Sequence, residues 1–554
     1  MDPFALLDDA SSGTLRRLSG LECVDRVTLA DIDPALERGW AQGLHCFAWL
    51  PYEAGAGGEA ALYWFAESTA PTHLPAALPG RIDGLTPDVT LVQQSRRISE
   101  IQAAIAAGRT YQVNYTFRLR GRLVGDPVGA YLALRERQPA AFGVLAHLPA
   151  PAPSWLLSLS PELFIEVSDG SVTARPMKGT APADTPSEAL RSDAKNRAEN
   201  LMIVDLLRND ISRVAVPGTV SVPRLFETER VGSLWQMTST VQARLTPGTT
   251  TGELLRATFP CGSITGAPKL ASMAIIEKVE ASPRGTYTGS LGVLEPGGDL
   301  RLSVAIRTVE IEADGSATLG VGSGVVADSV ASAEWDEALL KGRFVSPPSM
   351  KEAIAVVDGV APLAALHQAR LNSSAATLGL SVAHDLISLT VAQTPPGRWR
   401  VGLESGPGGT TVARTPLVLP EPPTFALLEA APWHPGPNAT MKTSDRAHLD
   451  AAWRRAATAG AFDSIGHDAA GRVLEGGRSN VFALIDGLWL TPPVTLGLLP
   501  GVQRQALLTD PSPLSTDRVL ETSFTVDQLR RATRIVLTNA VAGLVPVTLK
   551  EETP

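Results

Sequence analysis

Apolar and polar positions alternate most clearly in two runs midway through the first half of the chain. Glu162-Leu163-Phe164-Ile165-Glu166-Val167 and Ser171-Val172-Thr173-Ala174-Arg175-Pro176 each read as a strand, and Asp169-Gly170 between them signals a tight turn. With that turn at the centre, Glu162 faces Met177, one step from Lys178. A helical apolar period predicts helices over Ile98–Ala107, Ala194–Arg208 with Ser192 as cap, and Ser332–Arg343. Strands are predicted at Gly289–Leu294, Leu302–Glu310 and Ala317–Gly322, and further on at Asn480–Ile485 and Arg534–Thr538. The segment before about Thr90 is rich in Gly and Pro and carries Trp40, Phe47, Trp49, Tyr52, Tyr63, Trp64 and Phe65, a pattern of short strands.

The run Phe344-Val345-Ser346-Pro347-Pro348-Ser349 ends the last helix of the first part, because paired prolines cannot continue it. This divides the 554 residues into a domain over 1–345, with an N-terminal lobe of about 1–90, and a second over 350–554. The second part reads as alternating strands and helices. Apolar content of 44% and charged content of 19% describe a soluble globular chain. A net charge of −9 argues against nonspecific nucleic-acid binding, so an anionic substrate must be drawn by a local cluster of cations and N–H groups. No apolar run has the length of a membrane span, and the opening MDPFALLDDA is no signal peptide. Cys23, Cys46 and Cys261 are widely spaced, which suggests reduced thiols, a cytoplasmic location and no zinc site.

Several constellations suit chemistry. Lys178 beside Glu162 is a candidate nucleophile next to a proton-transfer group; a cross-strand ion pair is the alternative. Glu199 shares a helical face with Met202, Ile203 and Leu206, where a carboxylate is costly unless neutralised by a metal or a basic partner. Glu334, Glu337 and Lys341 lie on one face of another helix. A surface Glu–Lys pair is one reading; a Mg²⁺ site made of Glu199, Glu334 and Glu337 is the other. Gly320-Val321-Gly322-Ser323-Gly324 follows a strand, and its glycines allow backbone N–H groups to converge on an anion; an ordinary glycine turn is the alternative. Arg307, inside an otherwise apolar strand, calls for a carboxylate partner from protein or substrate. The loop Gly262 to Lys269, which includes Thr265, precedes a helix starting near Leu270 and could present small side chains to a substrate.

Taken in order, Tyr111-Gln112-Val113-Asn114, Ser160 to Phe164, Pro176 to Thr180, Arg197 to Asp210, Gly262 to Lys269, Gly285 to Gly289, Ile306-Arg307-Thr308 and Gly320 to Ser329 resemble the chorismate-utilising enzymes. The resemblance covers about Thr90 to Val345. It implies an α/β (α+β), two-lobed sandwich with large antiparallel sheets around the active site. Lysine at position 178 is similar to the branch of the family that makes aminodeoxychorismate; the branch that makes anthranilate carries alanine there. The resemblance then implies that Lys178 attacks C2 of chorismate and expels the C4 hydroxyl, after which ammonia enters at C4 and displaces the lysine. It implies Glu162 for proton movement, and Mg²⁺ on Glu199 and Glu337 to hold the ring carboxylate. It implies Arg307, Tyr287 and the backbone of Gly322, Ser323 and Gly324 for the other carboxylate, with Lys341 pairing either carboxylate or Glu337. A separate glutaminase partner is implied as the ammonia source.

The second part resembles the fold-type IV, pyridoxal-phosphate-dependent aminotransferase-like family, an α+β fold that includes lyases releasing 4-aminobenzoate and pyruvate. His367 to Leu371, Lys442 to Arg446, Gly471 to Glu475, Ser479 to Phe482 and Gly497 to Arg504 carry the match. By resemblance Lys442 bonds the cofactor aldehyde and Glu475 faces the pyridinium nitrogen. Arg370 with the Gly501-Val502 backbone holds phosphate, and Thr538 and Asn539 are further phosphate candidates. The run from Lys351 to Val356 departs from a Glu-Thr-x-Arg-like strand, and Gly476-Gly477-Arg478 replaces a small-hydroxyl string. Together the halves imply an enzyme of 4-aminobenzoate formation for folate-type synthesis. The alternatives are a non-catalytic second domain and another chorismate chemistry such as anthranilate formation.

Overall fold

The structure, a computed structural model, describes residues 2–182, 187–231, 234–346, 348–378, 380–406, 409–421, 424–433 and 439–551, without the side chains of 180–182, 230, 231, 234 and 447. The Thr180 side chain and Pro347 of the boundary run therefore lie outside the described residues. The chain forms two compact units, Met1–Ser346 and Pro347–Pro554.

The first unit is built on one continuous antiparallel ladder of 18 strands. Near one end, Leu234–Arg244 pairs with Ser221–Val231, Met177–Pro182 and Ser171–Arg175. From Ser171–Arg175 the ladder passes through Leu163–Ser168, Leu300–Val304, Ser290–Leu294, His45–Leu50, Ala60–Thr69, Thr14–Val27 and Phe4–Asp9. It continues through Phe142–His147, Trp155–Ser160, Thr308–Ile311 and Ser316–Val325 to Gln112–Gly125, which also pairs with Gly80–Pro87 and the short Gly266–Ala267. Strands from opposite parts of this ladder meet at Lys178 and Gly324, described below, so the ladder folds back over itself.

The aromatic run at Ala60–Thr69 shows why the layers hold. Successive side chains leave a strand on opposite faces. Tyr63 and Phe65 enter one hydrophobic cluster, Leu62 and Trp64 another, and all four are fully buried. The opening segment is therefore not a set of short strands alone: Thr14–Val27 is 14 residues long, and the helix Ile32–Ala41 covers the layer.

Other boundaries move for local reasons. The helix predicted from Ile98 begins at Leu91, where Thr90 and Gln93 form a reciprocal capping box. The long helix runs Ala194–Ser212, and its cap is Asp193 in place of Ser192: the Asp193 carboxylate accepts the Asn196 N–H at 2.7 Å. The predicted strand Leu302–Glu310 breaks into Leu300–Val304 and Thr308–Ile311. The helix after the Gly262 loop spans Lys269–Val279, and Ala331–Gly342 forms a further helix.

The second unit holds an antiparallel sheet of Met350–Val357, Arg398–Gly406 and Gly409–Pro416, covered by the helix Ala364–Leu378. Its other sheet has eight strands of mixed direction, from Val473–Gly476 to Val519–Glu521.

Candidate active sites

The hairpin that carries Lys178 does not keep the register its turn sets. Val167 pairs with Val172, but a bulge shifts the ladder so that Leu163 pairs with Arg175. Glu162 thus leaves the simple facing position, and its carboxylate is reached by the Met177 N–H. Gly179 follows with φ of 94°, a backbone that L side chains rarely adopt, and a Cβ there would stand 3.0 Å from Asn196 Oδ1. Glycine therefore lets the Lys178 strand pass close under the Ala194–Ser212 helix.

Glu162 is buried, 3% exposed, and Oε1 has no hydrogen-bond partner among the described residues. Burial pushes its carboxyl up to about 7; Ser263, Lys178 and the Met177 N–H pull the other way. Ser160 anchors the turn before it: its hydroxyl accepts the Glu162 N–H at 3.2 Å and donates to the Val304 carbonyl at 2.6 Å. Lys178 makes no ion pair among the described residues. Burial and the nearby Lys341 cation hold its amine below the ordinary lysine range, against Glu199, Glu162 and Glu337.

Gly320 to Gly324 is not a turn. All five residues lie inside the strand Ser316–Val325, paired with Arg118 to Asn114. The paired residues Asn114 and Thr116 give their N–H groups to the Thr265 carbonyl and to Glu280, away from this strand. Gly320, Gly322 and Gly324 therefore sit at non-hydrogen-bonded positions, with their polar backbone atoms on the other edge. That edge loses its strand partner after Leu319, and Lys341 Nζ donates to the Gly322 carbonyl there at 2.9 Å. A Cβ on Gly324 would stand 3.8 Å from Lys178 Nζ and 2.2 Å from Gln112 Nε2. Ser323, on the alternate register, is buried.

Arg307 occupies the break between its two strands with φ of 54°, a sparsely populated backbone for a non-glycine residue. Among the described residues its guanidinium meets no carboxylate; Nη1 donates to the Lys341 carbonyl at 2.5 Å. Burial brings it down to about 10, with Tyr287 acting the other way. Tyr287 is buried, its hydroxyl pushed up to about 12 by burial, and its ring lies against Gly320, where a Cβ would come within 2.0 Å. Thr265 is fully buried, and its hydroxyl donates to the Cys261 and Gly262 carbonyls at 3.2 Å, holding the loop from behind.

The charges of Glu337 and Glu334 on one helix reach Glu199 on the other. Burial raises the Glu199 carboxyl, Lys178 and Lys195 lower it, and Glu337 and Glu334 raise it further. Glu337 accepts from Lys341 Nζ at 2.8 Å, and Glu334 accepts the Ser329 hydroxyl at 2.8 Å. Burial works to raise Glu337, but Lys341 outweighs it and holds that carboxyl low. Among the described residues no three such ligands form a ready cage. Two residues had no role from sequence: Ser263, beside Glu162, and Lys195, which acts on both Glu199 and Glu337. Lys195 lies one helical turn before Glu199, a spacing that would have found it.

In the second unit, one cavity gathers Lys442, Glu475, Arg370, Gly501, Val502 and Thr538, with Arg446 and Arg478 also in its wall. Burial and the charge of Arg370 bring the Lys442 amine down to about 7, against Glu352. Burial pushes Glu475 up to about 8, although its Oε1 accepts the Leu499 N–H at 3.1 Å. Arg370 is locked by Glu352, with contacts of 2.9 and 2.6 Å, and His367 Nδ1 lies 2.6 Å from the same carboxylate. Burial alone would raise Glu352; the His367 hydrogen bond and the Arg370 charge hold it down at about 2. The strand that departs from the family pattern thus supplies the counter-charge for Arg370, a role its sequence did not suggest. Thr538 Oγ1 is buried and has no partner among the described residues. A Cβ on Gly501 would stand 2.0 Å from Asn480 Oδ1, so the chain runs tight against that wall before the helix Val502–Thr509.

A family model described as chorismate binding enzyme matches residues 60–347, and one described as amino-transferase class IV matches 350–549. The chain is 39% identical over 292 residues to aminodeoxychorismate synthase component 1 of Salmonella typhimurium, covering 51% of this chain and 63% of that protein. It is 37% identical over 287 residues to anthranilate synthase component 1 of Streptomyces coelicolor, covering 49% and 56%. The chain therefore spans less than two thirds of either relative's length. Among solved structures, the menaquinone-specific isochorismate synthase of Escherichia coli matches with a TM-score of 0.53 at 16% identity, over 62% of this chain and 87% of that one. That likeness concerns the fold. No helix among the described residues is long and apolar enough to cross a membrane.

Proposed function

Because this chain belongs to the chorismate binding enzyme family, we propose that its first unit converts chorismate and ammonia to 4-amino-4-deoxychorismate. The observation that carries the reading is Lys178: a half-buried amine, held below its ordinary range, without an ion pair among the described residues and beside the Glu162 carboxyl. A neutral amine is a nucleophile, and a carboxyl near 7 exchanges protons readily at neutral pH. Lys178 Nζ bonds C2 of chorismate, the two ring double bonds each shift by one position, and the C4–O bond breaks. The oxygen leaves as water with the Glu162 proton, and the amine returns a proton to that carboxylate. Ammonia then bonds C4, the double bonds shift back, and the C2–N bond breaks; the proton that ammonia loses passes by way of Glu162 to the departing nitrogen and frees Lys178 as the amine. Arg307 and the open backbone edge at Gly322 and Gly324 hold a substrate carboxylate; an Arg that meets no carboxylate among the described residues supports this.

Glu199, Glu334 and Glu337 offer only oxygen ligands, and the charges of Glu337 and Glu334 raise the Glu199 carboxyl; Mg²⁺ would draw on these carboxylates with water and substrate oxygens completing the shell. The ion would supply charge neutralisation at the ring carboxylate of chorismate. The ammonia comes from a glutaminase partner.

The second unit, on this reading, eliminates pyruvate to leave 4-aminobenzoate, feeding folate synthesis. Its cavity fits pyridoxal phosphate: a neutral-leaning lysine, a threonine hydroxyl at the phosphate end that has no partner among the described residues, and a carboxyl for the ring nitrogen. The cofactor, when bound, supplies an electron sink. Lys442 holds it and moves a proton, Glu475 orients the ring, and Arg370, Gly501, Val502 and Thr538 secure the phosphate.

The test is product analysis of the purified chain with chorismate, Mg²⁺, ammonia and pyridoxal phosphate. Aminodeoxychorismate is expected from the first unit, and 4-aminobenzoate with pyruvate from the second. Anthranilate as the product would refute the reading of the first.

A further inference from the structure

Cations are unevenly matched in the second unit's cavity. Arg370 has a carboxylate of its own in Glu352, contacted at 2.9 and 2.6 Å. Among the described residues Arg446 and Arg478 instead share one. Arg446 Nε lies 3.1 Å from Asp450 Oδ1, and Arg478 Nη2 lies 3.9 Å from the same oxygen. Both arginines also line the cavity with Lys442.

The local chain fixes the two heads side by side. Arg446 Nη2 donates to the Gly477 carbonyl at 2.5 Å, in the residue before Arg478. Arg478 is held at both ends: its N–H donates to Asp463 Oδ2 at 2.8 Å, and its guanidinium lies 3.4 Å from the centre of the Trp453 ring. Asp463 is engaged by the Arg478 backbone N–H, so among the described residues the two guanidinium heads have Asp450 alone as an ion-pair partner. Water screens part of this crowding, because the Arg478 side chain is 41% exposed, and an anion joining the two heads relieves the rest. Burial lowers Arg478, and Arg446 and Arg400 lower it further, against Asp450 and Asp463. The phosphate end has its own donors at Arg370, Thr538 and the Gly501-Val502 backbone, so the two heads are available to a second anion.

We infer that Arg446 and Arg478 form a carboxylate-binding subsite beside Lys442, separate from the phosphate end, which selects a substrate carrying a carboxylate in addition to the group that reacts. This rests on reading the cavity as a pyridoxal-phosphate site and deepens it by assigning the substrate class: a cyclic amino acid with a free carboxylate, as in aminodeoxychorismate and 4-aminobenzoate. Planar, bidentate recognition is what a guanidinium offers a carboxylate. Arg478 is thus a specificity residue, and Asp463 and Trp453 are positioning residues acting through it.

The experiment measures equilibrium binding of 4-aminobenzoate to the full chain loaded with pyridoxal phosphate, followed by the cofactor's absorption, beside a titration of the cofactor itself. In Arg478→Ala, 4-aminobenzoate binding is expected to weaken about tenfold or more with cofactor affinity unchanged; Arg478→Lys should restore part of it. Equal binding by wild type and Arg478→Ala would overturn the inference. So would a parallel loss of cofactor affinity, which would place Arg478 at the phosphate. So would a cofactor-loaded wild type that binds no 4-aminobenzoate at millimolar concentration. If binding depends on Arg478 while aminodeoxychorismate releases no pyruvate, the lyase reading fails and the subsite stands.

Discussion

Gly324 and Lys178 come from distant parts of the ladder, yet a Cβ on Gly324 would stand 3.8 Å from the lysine amine. The same Cβ would come within 2.2 Å of Gln112 Nε2. Gly324→Ala must therefore push the Gln112 amide aside and crowd the space in front of Lys178. A misplacement of this size in a reacting site costs up to about 100-fold in rate. Ammonia-dependent formation of aminodeoxychorismate should fall by about that factor while circular dichroism stays unchanged. Wild-type turnover in this variant would remove Gly324 from the site.

Lys178→Ala should abolish most of that same activity with the fold intact, and Glu162→Gln should lower it by about 100-fold or more. The pH profile should be bell-shaped. On the proposed mechanism Lys178 acts as the free amine, so rate rises as pH passes its lowered value. Glu162 acts there as an acid, so rate falls as pH passes about 7. In Glu162→Gln the alkaline fall should vanish. An alkaline limb that survives the substitution would assign it to another group.

Glu199→Gln removes a carboxylate whose burial is already unfavourable and whose neighbours include Glu337 and Glu334. Half-saturation by Mg²⁺ should move up by about tenfold or more, one charged ligand being worth at least 1.4 kcal/mol. An unaltered Mg²⁺ titration would count against the site.

Lys442 should make the cofactor-free chain less stable at neutral pH. Its amine falls from 10.5 unfolded to about 7 folded, so the unfolded state binds the extra proton between those values. Stability from this group therefore rises with pH across that window and is least below about 7. Lys442→Met should raise the melting temperature by about 2 °C or more near pH 7, with the gain shrinking toward pH 10. A gain independent of pH would mean that the amine is not held in this way. Uptake of pyridoxal phosphate by the wild type should also increase through pH 7, as the free amine forms.

Much of the candidate site was legible because its residues stand in short runs of fixed spacing. Lys178 with Glu162, and Glu334 with Glu337 and Lys341, are local pairs set by a hairpin or a helical turn. What could not be read depends on contacts between distant strands. The glycine run looks like a turn in sequence; it is a strand because Gln112–Gly125 pairs along its whole length. Arg307 looks like the middle of a strand, but Thr308–Ile311 leaves its predecessor to join Trp155–Ser160. Glu352 appeared to break a family pattern, and only the packing of the Ala364–Leu378 helix on its strand reveals Arg370 and His367 as its partners. Asp193 caps its helix one residue after Ser192 because the backbone turns there, and either residue type would serve.

The ladder order also sets a timetable for synthesis. His45–Leu50 pairs with Ser290–Leu294, and Phe4–Asp9 pairs with Phe142–His147. The strands that leave the ribosome first must wait for partners made much later, and pairings so far apart in sequence form slowly. Until then these strands present bare edges, the form in which a nascent sheet most readily joins its neighbours. A chain begun at residue 60, where the family match starts, would strand those late partners for good. The first 59 residues are therefore needed to close the ladder on which the rest of this unit is built.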